Sequence, residues 1–373
     1  MPAYRCPHCR HLLQFEDHAC PSCAHGLGYD PATDRFAHHD ATSGDWRDAG
    51  GGALAAEPCA NARFGVCNWL VGDLEPSTGG QRMCRACRHN RVIPDLAVAG
   101  VLDRWRRIEE AKRRLIRALI MLNLPLDTKN ERYDGLAFDF LYDSAAEMGY
   151  VPQLLTGHAG GVITLNVIEA DDVARERIRH QMGEPYRTLL GHFRHEVGHH
   201  YWFRLVAGTD WHEPFRALFG DERADYQAAV QAHYASGAPA DWHDQHISAY
   251  AAAHPWEDFA ETFAHYLHIV DTLAAIGSFG GELDGSDIEV AVDFDPYHAD
   301  AATLGARWIP FSFALNAINR AMGQPDLYPF RLTPGVMLKL DFVARLVAQA
   351  GGRAAPEETS DLEAMIATLG HGV

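Results

Sequence analysis

The most informative stretch of the chain reads Leu189-Leu190-Gly191-His192-Phe193-Arg194-His195-Glu196-Val197-Gly198-His199-His200-Tyr201-Trp202. Within it, His195, Glu196 and His199 form the pattern H-E-x-x-H. Residues four apart on an α-helix lie on the same face, so the two imidazoles can bind one Zn²⁺. The glutamate beside the first histidine can then take a proton from a water at the open position of the metal. The stretch predicts a helical metal site with Glu196 as general base.

The sequence around this motif fits a helix, because residues 186–213 contain no proline. Gly198 lies inside the motif, where a small residue leaves room for a close neighbour. His192 and His200 fit surface or supporting positions better than ligand positions. The motif is short and the chain has 22 His, so a third ligand is needed to support the interpretation.

Length and composition describe an ordinary globular protein of two or three domains. The chain has 373 residues, of which 47% are hydrophobic. It has no apolar run of about 18–20 residues, so no membrane partner is expected. Its start lacks the apolar region of a secretory signal, which favours the cytoplasm.

Charge is unevenly distributed along the chain. Residues 1–125 carry 16 Lys and Arg against 14 Asp and Glu, so the remainder carries 16 against 36. The acidic part should repel nucleic acid. The helical pattern from Leu96 to Leu124 is rich in arginine and could contact nucleic acid. A linking helix whose basic face lies against the acidic domain or solvent is the favoured interpretation, so nucleic acid is an unlikely partner.

All eight cysteines precede residue 88. Cys6, Cys9, Cys20 and Cys23 form two C-x-x-C knuckles, a strong signal for a structural zinc bound by four thiolates. A disulfide framework is the competing interpretation, and both the cytoplasmic setting and the spacing argue against it.

The second four cysteines contain only one such knuckle. They are Cys59, Cys67, Cys84 and Cys87. A second structural zinc fits them better than four free thiols. Nearby alternative ligands, more easily explained as loop histidines, are His8, His11, His18, His25 and His89.

The third ligand of the metal helix should come from a later segment, because the longer pattern H-E-x-x-H-x-x-G-x-x-H fails at Trp202 and Leu205. The best candidate is the predicted helix that begins near Pro255, on which Glu257 and Glu261 are one turn apart.

Here the sequence resembles a known group. Tyr250 followed by Glu257-Asp258-Phe259-Ala260-Glu261 is similar to the third-ligand region of gluzincin metallopeptidases of the anthrax lethal factor type. Nearly the full chain resembles a bacterial family of zinc-binding metallopeptidases with N-terminal zinc ribbons. The shared blocks are Cys6 to Cys9, His195 to Trp202, Phe219-Gly220-Asp221-Glu222-Arg223-Ala224-Asp225-Tyr226 and His254-Pro255-Trp256-Glu257.

The resemblance implies a peptidase acting on a peptide or protein substrate. Glu257 would be the third ligand of the catalytic Zn²⁺, and Glu261 would accept the free N–H of a ligand histidine. Tyr250 would donate a hydrogen bond to the developing oxyanion. Extended substrate would lie along a sheet-edge strand formed by Val162, Ile163, Thr164 and Leu165.

The resulting prediction is an α+β, mainly helical chain with three zinc ions, one catalytic and two structural. Its predicted parts are a zinc-ribbon region (1–92), a linking helix (93–130), a zincin-like catalytic domain with C-terminal helices (131–350) and a tail (351–373). The alternative is an inert zincin whose ribbons recruit a protein or nucleic acid, although retention of Glu196 argues against it.

Overall fold

The computed structural model describes residues 2–73, 80–143, 157–182, 188–280, 282–285, 288–354 and 360–370. Within them the chain is an α+β protein in which helices dominate, as predicted. It divides into two compact units, Met1–Ile120 with Leu126–Gln181, and Met121–Pro125 with Met182–Val373. No helix in the described part of the chain combines the length and apolar character needed to cross a bilayer.

The first unit contains short antiparallel strands around the cysteines. The strands are β1 (Tyr4–Arg5), β2 (Leu12–Leu13), β3 (Leu27–Asp30), β4 (Arg35–His39), β5 (Trp46–Arg47), β6 (Ala53–Leu54), β7 (Ala56–Pro58) and β8 (Leu70–Gly72). They pair as β1-β2, β3-β4-β5-β6 and β7-β8. An aromatic core of Tyr4, Phe15, Tyr29, Phe36 and Trp69 supports them. Small modules of this kind have little other core, so bound metal supplies much of their stability.

The first unit also holds a four-stranded sheet with the order β11-β12-β10-β9. Its strands are β9 (Asn90–Val92), β10 (Ala137–Leu141), β11 (Gly157–Ala159) and β12 (Val162–Asn166). Strands β9 and β12 are both parallel to β10, whereas β11 and β12 form an antiparallel hairpin. The predicted boundary at residue 92 therefore passes through one sheet.

The predicted substrate edge at Val162, Ile163, Thr164 and Leu165 is wrong for this sheet. These residues lie on β12, which pairs with β10 on one side and with β11 on the other. Gly160 and Gly161 both have positive φ and make the two-residue turn between β11 and β12. Within the described residues, β11 rather than β12 is the outer strand of the sheet.

Helix α1 (Val101–Met121) packs inside the first unit, together with helix α2 (Asp172–Met182). Some arginines of α1 are partly exposed to solvent, as expected, with Arg106 at 38% and Arg107 at 55%, but others bind groups of the first unit. Arg117 binds Asp34, with the closest N–O distance 2.6 Å, and Arg114 binds Glu16 at 2.7 Å. Arg113 is buried and donates to the carbonyl of Val66. This helix is thus an integral support of the cysteine-rich region.

The second unit is almost entirely helical. Its helices are α3 (Leu189–Tyr201), α4 (His212–Phe219), α5 (Tyr226–Ser236), α6 (Trp242–Gln245), α7 (Pro255–Ser278), α8 (Ala301–Ala321), α9 (Pro334–Ala350) and α10 (Ser360–Gly370), with a hairpin of β13 (Glu282–Gly285) and β14 (Ile288–Ala291). A π-helical turn, Trp202–Val206, directly continues α3. The Thr188 hydroxyl caps the start of α3, and Pro255 occupies the first position of α7, as predicted.

Helices α3 and α7 cross at Gly198. A methyl group on Gly198 would lie 2.9 Å from Ala260 Cα and 3.1 Å from the Ala260 carbonyl oxygen. The expectation that this glycine makes room for a close neighbour is confirmed. Arg194 on α3 also forms a buried ion pair with Asp271 on α7, and the hydroxyl of Tyr297 donates to the same carboxylate at 2.6 Å. The two helices are therefore held together at fixed spacing.

Candidate metal centres

The first candidate centre lies where α3 meets α7. It brings together His195, His199 and Glu257, three of the residues predicted from the sequence. The two imidazole Nε2 atoms are 3.1 Å apart, and Glu257 Oε2 lies 3.0 Å from His195 Nε2 and 3.5 Å from His199 Nε2. Ligand atoms at 2.0–2.1 Å around a tetrahedral Zn²⁺ would be about 3.3 Å from each other. The three atoms have the spacing that this ion requires.

The carboxylate of Glu257 also has the chemistry of a ligand. The residue is 1% exposed, and its Oε2 atom has no hydrogen-bond partner among the described residues, although two imidazole nitrogens lie near. Such an acceptor is costly to bury unless a cation satisfies it. Burial alone would raise the pKa of Glu257, but the two histidines hold it well below its usual range. Glu257 is therefore a charged carboxylate aimed at the ligand point.

Glu261 lies one helical turn further along α7, on the other side of the His195 ring. Its Oε1 atom is 2.7 Å from His195 Nδ1, and its Oε2 accepts from the Ser248 hydroxyl at 2.7 Å. The pKa of Glu261 is raised by burial and lowered more strongly by His195, with a net shift downward. A carboxylate at Nδ1 keeps the proton there and leaves Nε2 free to bind a metal.

Glu196 lies beside the two candidate ligand histidines and is not one of the three converging residues. It is buried, and His192 Nε2 is 3.2 Å from Glu196 Oε1. Burial would raise the pKa of Glu196, but the hydrogen bond from His192 and the charges of the neighbouring histidines lower it overall. Glu196 is therefore ionised and able to accept a proton. The contribution of His192 was not predicted, apart from the general suggestion of a supporting position.

Tyr250 is the first residue of a short 3₁₀ helix, Tyr250–Ala253. The centroid of its ring lies 6.0 Å from that of the His195 ring. Burial, followed by the negative charge of Glu257, raises the pKa of Tyr250. The phenol is thus neutral at ordinary pH and can donate a hydrogen bond.

A contact that the sequence did not reveal joins Tyr226 to Glu257, the candidate third ligand. The Tyr226 hydroxyl donates to Glu257 Oε1 at 2.7 Å, so the two oxygens of this carboxylate have different environments. Tyr226 is the last residue of the Phe219–Tyr226 block that resembles the family. The resemblance was therefore a signal for this residue, but it did not indicate a role. The contact spans 31 positions and depends on the tertiary fold.

The second candidate centre consists of Cys6, Cys9, Cys20 and Cys23. None of the eight cysteines forms a disulfide bond. The Cys6–Cys23 and Cys9–Cys20 sulfur distances are 3.7 Å and 3.6 Å, against about 3.8 Å for thiolates 2.3 Å from a tetrahedral Zn²⁺. The residue after each knuckle, Arg10 or Ala24, has positive φ and donates its N–H to the carbonyl of the first cysteine of that knuckle. Two matching turns therefore present four sulfurs to one point.

The third candidate centre brings together Cys59, Cys67, Cys84 and Cys87, all of them buried. The Cys67 and Cys84 sulfurs are 3.7 Å apart. Backbone N–H groups of Trp69, Cys84 and Cys87 donate to the sulfurs of Cys67, Cys59 and Cys84, respectively, at 3.4–3.5 Å. Donors of this kind stabilise thiolates and suit a metal-bound set.

The surroundings of this third centre are charged, although they are buried. Lys112 and Glu109 on α1 are 0% exposed and form an ion pair at 2.8 Å. Burial would lower the pKa of Lys112, but Glu109 and the Cys87 and Cys84 sulfurs raise it. A Zn²⁺ ion with four thiolates carries a net charge of −2. Lys112, Arg113 and Glu109 together carry a net charge of +1, which offsets part of the charge of such a centre in a buried position.

The histidines considered as alternative ligands do not join these centres in the described structure. His89 is buried and its Nδ1 lies 3.0 Å from the carbonyl oxygen of Leu136, while the rings of His8 and His25 stack with centroids 4.1 Å apart. Each of the two sets of converging ligand atoms consists of four cysteine sulfurs.

Comparison with known proteins gives one family for each part of the chain. Residues 101–346 match the family described as "Putative zinc-binding metallo-peptidase", and residues 3–98 match a family described as a zinc-ribbon domain. Uncharacterized proteins of Mycobacterium bovis and Mycobacterium tuberculosis are 42% identical over 353 residues, which is 93% of this chain and 95% of theirs. No solved structure gives a significant match.

Proposed function

Because this chain belongs to that family of zinc-binding metallo-peptidases, we propose that it hydrolyses peptide bonds in a peptide or protein substrate. The observation that carries the proposal is the tetrahedral spacing of His195, His199 and Glu257, beside an ionised glutamate that is not needed as a ligand. Because the third ligand would be a glutamate, Glu257, the centre would be of the gluzincin type.

Zn²⁺ bound by these three residues would acidify a water toward a pKa of about 7 and polarise the scissile carbonyl. Glu196 accepts the proton of the attacking water and passes it to the leaving amine. Tyr250 donates its phenolic hydrogen to the oxygen that becomes negatively charged. Glu261 holds the Nδ1 proton of His195, so that Nε2 keeps its lone pair for the metal.

The proposed cofactor content is three zinc ions per chain, one catalytic and two structural. The two cysteine centres have all their coordination positions filled by protein, which is typical of structural zinc. The His195–His199–Glu257 centre offers three ligands and leaves one position for water. Nucleic acid is not proposed as a partner, because Arg113, Arg114 and Arg117 are engaged by groups of their own unit.

The proposal is tested by Glu196→Gln, which keeps the shape of the side chain and removes its ability to accept a proton. Peptidase activity is measured on a mixed library of quenched fluorescent peptides, with zinc content measured on the same samples. The expected result is unchanged zinc and a loss of activity of about 10²–10⁴-fold. Glu213→Gln is a matched control, because the Glu213 side chain is 82% exposed on a neighbouring helix.

Two outcomes would contradict the proposal. Equal turnover by wild type and Glu196→Gln would remove Glu196 from the mechanism. A zinc-loaded wild type that cleaves no library member would favour the alternative, a protein-binding zincin whose ribbons recruit a partner.

A further inference from the structure

The block from Phe219 to Tyr226 has no role in the chemistry described so far, although it is one of the blocks that link the chain to its family. It connects α4 to α5. Gly220, with φ of 105°, ends α4, and the Asp225 side chain caps α5 by accepting from the Ala228 N–H at 3.1 Å. The segment is therefore a short, ordered connection that delivers Tyr226 as the first residue of α5.

Two contacts fix this connection. Glu222 is buried and accepts hydrogen bonds from Arg216 at 2.6 and 2.9 Å, while its Oε1 atom lies 2.9 Å from His212 Nε2. The pKa of Glu222 falls to about 2, chiefly through the Arg216 hydrogen bonds. On the other side, His254 Nε2 lies 3.2 Å from the Ala224 carbonyl oxygen. The loop is thus held by a charge-assisted cluster and by a backbone contact.

His254 also connects the loop to the start of the ligand helix. Its Nδ1 accepts from the Trp256 N–H at 3.1 Å, which caps α7 about one turn before Glu257. The Tyr226 ring packs on His254 and Trp256, with centroids 5.2 and 6.0 Å apart. The position of Tyr226 is therefore set relative to Glu257 by His254, the residue that caps α7.

The Tyr226 hydroxyl then meets the ligand itself, through the 2.7 Å hydrogen bond to Glu257 Oε1. The other oxygen, Oε2, faces the two imidazoles. A carboxylate can coordinate a cation through one oxygen or through both. Coordination through both would add a fifth ligand atom beside the position that a catalytic zinc centre leaves open for water, and would crowd that position.

We propose that Tyr226 is a positioning residue that restricts Glu257 to one-oxygen coordination and so keeps the fourth metal position open for water. The proposal rests on the function proposed above, since it assumes that His195, His199 and Glu257 bind the catalytic zinc. It gives the Phe219–Tyr226 block a role, which is to aim one hydroxyl at the unbound oxygen of a ligand 31 positions away.

The test is Tyr226→Phe, which removes only the hydroxyl. The catalytic zinc is withdrawn with a mild chelator while zinc stays in the cysteine centres, and Co²⁺ is then added to the vacated centre. Zinc is colourless, so the visible spectrum reports the Co²⁺ coordination number at the catalytic centre alone. Tyr133→Phe is the matched control, because Tyr133 is 88% exposed.

Wild type and Tyr133→Phe should give the intense visible absorption of four-coordinate Co²⁺. Tyr226→Phe should bind Co²⁺ with markedly weaker absorption, as expected for five-coordinate Co²⁺. On any library peptide that wild type cleaves, kcat should fall by about 10–100-fold with little change in KM. The thermal unfolding midpoint of Tyr226→Phe should match wild type, which separates positioning from a general loss of stability.

Two different failures can be told apart. A four-coordinate spectrum in Tyr226→Phe, identical to that of wild type, overturns the role of Tyr226 and leaves the peptidase proposal standing. Absence of Co²⁺ binding by wild type at this centre overturns both. A fall in kcat accompanied by an unchanged spectrum also counts against one-oxygen coordination as the role of the hydroxyl.

Discussion

The choice between Glu257 and Glu261 as metal ligand gives the sharpest prediction. Both glutamates lie on α7, one turn apart, and both are close to His195. They approach opposite nitrogens of its ring, with Glu257 at Nε2 and Glu261 at Nδ1. Only Glu257 is also near His199, with 3.5 Å between Oε2 and Nε2. Replacing each by alanine should therefore cause different losses of zinc affinity.

The expected magnitudes follow from these positions. Apparent zinc binding energies of about 10–16 kcal/mol, shared among four ligands, give roughly 3 kcal/mol or more for one bond. Glu257→Ala should thus weaken catalytic zinc by more than about a hundredfold, since 1.4 kcal/mol is tenfold. Glu261→Ala removes the acceptor of the His195 Nδ1 proton, and such losses cost about 10–100-fold in affinity.

The measurement is competition for the labile zinc with a chromophoric chelator, with zinc in the cysteine centres counted separately. Glu213→Ala serves as control for loss of an exposed negative charge in the same unit. Wild type and Glu213→Ala should bind the labile zinc most tightly, Glu261→Ala less tightly, and Glu257→Ala most weakly. If Glu261→Ala loses the metal while Glu257→Ala keeps it, the assignment is wrong by one helical turn.

Three further predictions concern metal content and the packing that supports it. Elemental analysis of protein purified without chelator should give three zinc ions per chain, one of them removed by mild chelation; a value near one would eliminate the structural centres. Gly198→Ala should lower the free energy of unfolding by about 1–3 kcal/mol and lower the affinity for the catalytic zinc, because the added methyl group meets Ala260. Gly72→Ala is the control, since no atom lies within 4 Å of its added methyl group, and equal effects of the two substitutions would refute the contact. Lys112→Met should lower the free energy of unfolding by about 3–5 kcal/mol and speed the release of zinc from the Cys59–Cys87 centre, because Glu109 would stay buried without its ion-pair partner. Unchanged thermal unfolding and an unchanged rate of zinc release would contradict this.

The parts of the site that sequence could predict are those encoded by short spacing. His195 and His199 lie one turn apart on a helix, and each C-x-x-C knuckle closes within four residues, so local geometry nearly determines the outcome. Glu257 lies about sixty positions from His199, and nothing local brings the two together. Its assignment needed the resemblance to a known ligand region.

The parts that could not be predicted depend on tertiary contacts. The Tyr226 hydroxyl reaches Glu257 only because the Phe219–Tyr226 connection is held by Glu222 and His254. No periodicity encodes this arrangement. By contrast, the error at β12 was avoidable, because Gly160-Gly161 between two short strands is a hairpin signal and a hairpin places a second strand along the supposed edge.

The role of the arginines of α1 was predicted only in part. A run of arginines on a predicted helix is usually a solvated face, and that base rate favoured solvent or a distant acidic partner. Arg117 and Arg114 instead bind the isolated acids Asp34 and Glu16, more than eighty positions earlier in the chain. Sequence shows where the charges lie but not which loops return to meet them.

The arrangement of α1 limits where the chain can be divided to make a fusion protein. The zinc-ribbon match ends at residue 98 and the metallo-peptidase match begins at residue 101, so a gene fusion guided by sequence families would cut between them. That cut would expose Lys112, Glu109 and Arg113 on one product and leave the Cys59–Cys87 centre without its counter-charges on the other. A transfer of the ribbons to another protein would therefore have to include α1 at least as far as Arg117, which binds Asp34 of the ribbon region.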